Sequence, residues 1–185
     1  MLVTERFPFV LPPPVTIAAS PSWRSKITTA ARAARIPLSD PTPDDVGIRP
    51  ITCAWGDLAL LVPQLDVPRA AAERPLIGAH SDSIEDLESR DAVADVAALL
   101  SLHGNIILDL DAGRSRWRRP RRPDILVSVA GNGPLWTQPS VVMPVGRTRR
   151  GRPLSVRLVA DPGFEYALLD MARLVEADQC SAEAA

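Results

Sequence analysis

The chain has 185 residues, with 46% hydrophobic and 23% charged side chains and a formal net charge of -1. That length supports a core of its own, the composition is globular rather than disordered, and the near-neutral charge creates no whole-molecule field toward nucleic acid or an anionic membrane. Cys53 and Cys180 are the only cysteines, too few and too far apart for a disulfide framework, which points to a reducing compartment.

Met1 to Ala19 is apolar, but Glu5 and Arg6 come early and Pro8, Pro12, Pro13 and Pro14 interrupt it. A signal peptide needs an unbroken apolar core, so none is predicted. No other segment approaches the ~20 apolar residues of a membrane span. The expectation is a cytoplasmic protein.

Phe7 to Val10 and Val15 to Ala19 read as extended segments around a polyproline kink. Ser20-Pro21 opens a helix with Trp23, Ile27, Ala30, Ala31 and Ala34 on one side, and Pro37 ends it. Ser39 to Pro50, dense in Pro and Asp, reads as loop. Leu58 to Val62 is an apolar run stopped by Pro63, too short to assign to either type.

The spacing of Ile84, Leu87, Val93, Val96, Ala97 and Leu100 predicts a helix over Asp82 to Leu102, closed by His103-Gly104-Asn105. Ile106 to Leu110 suits strand or helix. Asp124 to Ala130 predicts a strand, and Gly131-Asn132-Gly133-Pro134 a turn.

The C-terminal third has the clearest pattern. Ser140 to Gly146 is β-branched and apolar, Arg147 to Gly151 is a basic loop ending in glycine, and Leu154 to Ala160 alternates. Leu154, Val156, Leu158 and Ala160 fall on one face, with Ser155, Arg157 and Val159 on the other. Asp161-Pro162 reads as a helix start. Phe164, Leu168, Met171, Ala172 and Val175 then form one stripe at helical spacing. The unit is strand, hairpin, strand and docking helix.

Few residues offer chemistry. His80 and His103 are the only histidines, and no G-x-S-x-G accompanies them. His80, Ser81 and Asp82 are consecutive, so they do not face one another as a triad must, and read as a loop and helix cap. His103 suits a helix C-terminus. The cysteines and histidines lack metal-ligand spacing. Asp109 and Asp111 would share a strand face and read as a solvated acidic edge.

No G-x-x-x-x-G-K-[ST] or G-x-G-x-x-G occurs, so no nucleotide cradle is expected. Arg114, Arg116, Arg118, Arg119, Arg121 and Arg122 surround Trp117, and Arg147, Arg149, Arg150 and Arg152 form a second basic loop. Arginine with an interleaved aromatic can pair with phosphates and stack on bases. Pro120 and Pro123 break the first run, and a solvated surface is the competing account.

Pro139 to Glu176 resembles the C-terminal end of the amidase signature family. The residues that carry the likeness are Pro139-Ser140-Val141-Val142-Met143-Pro144-Val145-Gly146, then Arg152-Pro153-Leu154-Ser155-Val156, then Pro162-Gly163-Phe164-Glu165-Tyr166-Ala167-Leu168-Leu169. Upstream, Asp124-Ile125-Leu126-Val127 resembles the family's D-V-L-L strand, and Phe9 to Arg35 the strand and helix after its catalytic half. The likeness is densest over residues 124–178.

The sequence also departs from that pattern. Trp136-Thr137-Gln138 stands where the family carries Thr-Gly before the strand. Ser155 and Arg157 replace the usual glycine and glutamine, and the loop between Val129 and Pro139 is shorter than the family's.

The resemblance implies an α/β fold: a partial mixed sheet flanked by helices, one incomplete domain over residues 1–185. It also implies hydrolysis of a carboxamide by a Ser, cis-Ser, Lys set in a Gly/Ser-rich half. No Gly-Gly or Ser-Ser pair occurs here, and Lys26, the sole lysine, lies on the predicted first helix. No catalytic, cofactor-binding or metal residue is therefore assigned, and no cofactor is expected.

The expected activity is that of a truncated or degenerate amidase, inactive alone. Its expected partner is a separate N-terminal amidase half or a second copy, with a small amide as substrate only when completed. A non-enzymatic interaction protein and an arginine-rich nucleic-acid binder are the competing readings.

Overall fold

A computed structural model describes residues 13–39, 48–65, 75–79, 86–103, 106–109, 123–130 and 138–183. Seven strands form one sheet in the order β2-β1-β6-β7-β5-β3-β4. They are β1 (Val15–Ala19), β2 (Arg49–Cys53), β3 (Leu76–Ala79), β4 (Ile106–Asp109), β5 (Ile125–Val129), β6 (Ser140–Arg147) and β7 (Pro153–Ala160). β3 lies parallel to both β4 and β5, whereas β1 and β7 run antiparallel to their neighbours. The sheet is therefore mixed, as the family resemblance implied.

The helices are α1 (Pro21–Ala34), α2 (Leu58–Leu61), α3 (Leu87–Leu102) and α4 (Glu165–Glu183). They form one connected layer in which α1 touches α2, α2 touches α4 and α4 touches α3. Under it, Ile17, Ile51, Ile77, Ile125, Val127, Val141, Met143 and Leu158 are buried with Leu100, Leu168 and Val175. The opposite sheet face carries Thr16, Val142, Arg157 and Ser128 side by side in register. No described helix is long and apolar enough to cross a membrane.

The C-terminal unit forms as its pattern dictates. β6 and β7 pair antiparallel through the Arg147–Gly151 loop, and Leu168, Met171, Ala172 and Val175 of α4 are buried. α4 begins at Glu165, three residues after the first helical position predicted at Pro162. Asp161 to Phe164 is instead a tight turn, with the Phe164 N–H donating to the Asp161 carbonyl at 3.1 Å. Gly163 adopts φ +102° there, the Pro-Gly chemistry of a turn that holds the chain out of the helical path.

Three other expectations need correction. Ser39 to Pro50 is not all loop, because Arg49 and Pro50 open β2. The proline is tolerated because β2 is an edge strand. The Thr52 N–H points outward to the Ser39 carbonyl at 3.0 Å, and Pro50, two residues away, places its missing donor on that same outer edge.

Leu87, expected in the apolar stripe, is 60% exposed, while Ala92, Val93, Val96, Ala97 and Leu100 make the buried face of α3. Leu58–Leu61 is a single helical turn that Pro63 does not stop, since Val62–Gln64 continues as a 3-10 turn.

β3 was missed because its four residues, Leu76-Ile77-Gly78-Ala79, carry little strand signal. Asp124 holds it in place. The Asp124 carboxylate accepts the Leu76 N–H at 2.8 Å, and the Asp124 N–H donates to the Leu76 carbonyl at 2.8 Å. Ile106–Asp109, suited to either type, is a strand parallel to β3. Phe7 to Val10, Asp82 to Glu85, Arg114 to Arg122 and the turn at Gly131 to Pro134 lie outside the described residues.

Candidate functional site

Strand direction locates the site. β3, β4, β5 and β6 all run the same way, so Ala79, Asp109, Val129 and Arg147 end at one edge of the sheet. After β3 the chain goes to β4 on one side; after β5 it goes to β6 and β7 on the other. Adjacent strands whose onward connections diverge leave a crevice beyond their carboxyl ends, the usual ligand position in open α/β sheets. A cavity of about 780 Å3 lies at this same sheet edge, between the end of β5, the β6–β7 hairpin loop and the N-terminus of α3.

The loop wall is fixed by its own hydrogen bonds. The Thr148 N–H donates to the Arg152 carbonyl at 2.9 Å, and the Gly151 N–H to the Thr148 carbonyl at 2.8 Å. The Arg152 N–H meets Thr148 Oγ1 at 3.1 Å, and Arg147 Nη1 donates to the Gly151 carbonyl at 2.8 Å. Gly151 sits at φ +75°, a conformation that favours glycine. Arg149, Arg150 and Arg152 project from this platform beside the cavity.

Opposite them, Asp86 caps α3 by accepting the Ser89 N–H at 3.1 Å. The Ser89 hydroxyl and N–H hold the Asp86 carboxyl below its ordinary range. Glu88 accepts the Arg149 N–H at 3.0 Å, and its carboxylate lies 3.7 Å from Arg149 Nε. Val129, Val142, Pro153 and Leu154 supply the apolar lining. The basic loop read from sequence is thus tied at Arg147 and Arg149, with Arg150 and Arg152 lining the cavity.

Two buried polar clusters escaped the sequence reading. Glu176, 1% exposed on α4, accepts the Gly56 N–H at 2.8 Å and the Ala59 N–H at 3.2 Å, satisfying donors at the start of α2. Burial pushes its carboxyl above the ordinary range despite these bonds. Cys53 is buried and free beside it, and desolvation, with Asp57 and Glu176 adding negative charge, raises its thiol to about 12. It is therefore a neutral core thiol rather than a nucleophile. The available sequence signal was an acid one residue beyond the Ala172–Val175 stripe.

In the second cluster, on the sheet face away from the helices, Arg157 Nη2 donates to the buried Ser140 hydroxyl at 3.3 Å. Desolvation lowers the Arg157 guanidinium from its ordinary value. Arg157 is nearly buried, although its place in the alternation suggested a more open face.

The remaining candidates do not converge. His103 caps the C-terminus of α3 through its backbone. Asp109 ends β4, while His80, Ser81, Asp82 and Asp111 lie outside the described residues. Lys26 is exposed on α1, its ammonium 4.6 Å from the Trp23 ring centroid. Among the described residues no group of three or more His, Cys, Asp or Glu could hold a metal ion.

Sheet and helix layer together define a mixed α/β fold. The chain is similar in fold to 6-aminohexanoate cyclic dimer hydrolase. With the substrate-complexed structure the TM-score is 0.51 at 13% identity, over 89% of this chain and 60% of that chain. With a second structure of that enzyme it is 0.53 at 14% identity, over 90% of this chain and 60% of that chain. The chain therefore spans less than two thirds of the enzyme it resembles. No family model matches the sequence, and comparison with curated proteins gives no match.

Proposed function

We propose that this chain is the C-terminal scaffold of an amidase-signature hydrolase and hydrolyses no carboxamide by itself. The observation that carries this reading is the fold likeness to an amide hydrolase across 89–90% of the chain but only 60% of that enzyme. The family-like run from Pro139 to Leu169 supports it, forming β6, β7 and the start of α4.

Amide hydrolysis needs an activated hydroxyl, a proton relay and donors for the oxyanion, and losing them costs orders of magnitude in rate. Ser140 is fully buried and accepts a hydrogen bond from Arg157, so its hydroxyl cannot meet a substrate carbonyl. Ser128 lies opposite Arg157 on β5, and Lys26 stands on the outer side of α1. The catalytic groups would come from a complementing polypeptide.

The test is ammonia release from hexanamide and benzamide by the purified chain. Release at the level of a buffer blank is expected. Turnover above the blank that disappears in Ser128→Ala would overturn the proposal. Sequencing the DNA upstream of the Met1 codon supplies a second readout, with a Gly/Ser-rich, serine-bearing half expected there.

A further inference from the structure

We propose that the cavity between the carboxyl end of β5, the β6–β7 hairpin loop and the N-terminus of α3 binds a small oxyanion, carboxylate or phosphate, carried on an apolar body. This site goes beyond the hydrolase reading and does not depend on it. The sheet edge supplies the place, since the end of β5 and the start of β7, neighbouring strands, both line the cavity.

The charge pattern supplies the chemistry. Arg149 is already held by Glu88. Arg150 and Arg152 stand two residues apart on the same rigid loop and line the cavity. Neither side chain has a hydrogen-bond or ion-pair partner among the described residues. Both guanidinium groups therefore present donors to the cavity, and an oxyanion there accepts charge-assisted hydrogen bonds from them.

The cavity, about 780 Å3, falls in the range that takes a drug-sized ligand, roughly 300–1,000 Å3. Val129 and Leu154 offer apolar surface beside the arginines. The Asp86 and Glu88 carboxylates on the opposite wall repel an anion, so the ligand's charged end faces Arg150 and Arg152 and its apolar end lies against the lining.

The test is calorimetric titration of the full chain with 4-phenylbutyrate and with phenyl phosphate, alongside acetate and inorganic phosphate. Each arylated probe should bind more tightly than its small counterpart, and comparing the two arylated probes identifies the preferred headgroup. The double variant Arg150→Ala/Arg152→Ala should weaken the preferred probe by about tenfold or more with an unchanged melting temperature. Arg32→Ala, an exposed arginine on α1, should leave binding unaltered.

Glu88→Gln removes a repelling charge and releases Arg149, so it should tighten binding. The proposal is overturned by no binding at millimolar probe, or by equal losses in the double variant and Arg32→Ala. It is likewise overturned if a single-stranded oligonucleotide outcompetes both probes, which would make the loop a nucleic-acid contact.

Discussion

A buried carboxylate loses the solvation that favours its charged form, and backbone N–H donors return only part of it. Glu176 shows this balance. Two N–H groups at the start of α2 stabilise its anion, yet burial dominates and the carboxyl is raised from its ordinary 4.5. The folded chain therefore holds this proton more tightly than the unfolded chain does. The group's contribution to stability is fully present below that ordinary value and is lost as pH rises through the raised one. Glu176→Gln keeps an acceptor and has no charge to form. The wild type should thus lose stability relative to this variant as pH is raised from about 4 toward neutrality, measured by urea unfolding across a pH series. A difference that stays flat, or that grows in the wild type's favour, would contradict this account.

At the scale of elements, α4 binds the sheet to the rest of the helix layer, touching β6, β7, α2 and α3. Leu168 is 2% exposed at that contact. Leu168→Ala removes transfer energy and leaves a cavity, a cost of about 2–5 kcal/mol within a total of about 5–15 for a whole domain. Arg149→Ala loses one exposed ion pair and should shift stability by less than about 1 kcal/mol. Thermal melts of both variants check the contrast, and comparable shifts would contradict the packing described.

The same element shows what local pattern can reveal. The stripe from Phe164 to Val175 repeats at helical spacing, so helix and buried face were readable without any partner in view. β2 and β3 were not, because a proline on an edge strand and a four-residue Leu-Ile-Gly-Ala strand take their pairing from distant segments. The crevice was half readable. Its arginines are a visible run, but their convergence with Asp86 and Glu88 depends on strand order, which no local pattern encodes. Glu176 was hidden for a related reason: its partners lie 117 and 120 residues away.

For the whole molecule, the decisive feature is that the described helices form a single layer on one face of the sheet. Adjacent residues of one strand then live in different environments. Leu158 points under the helices and is fully buried. Val159 points to the other face beside Ser140 and Leu126 and is only half-buried. A lysine at 158 would bring an ammonium into an apolar core without a counter-ion, whereas a lysine at 159 can extend its charge to water along its apolar stem. Leu158→Lys should therefore abolish cooperative folding. Val159→Lys should cost no more than about 1 kcal/mol. Circular dichroism melts of the two variants decide the matter, and if Val159→Lys also fails to fold, the cover that buries Ser140 and Arg157 on that face extends over this position as well.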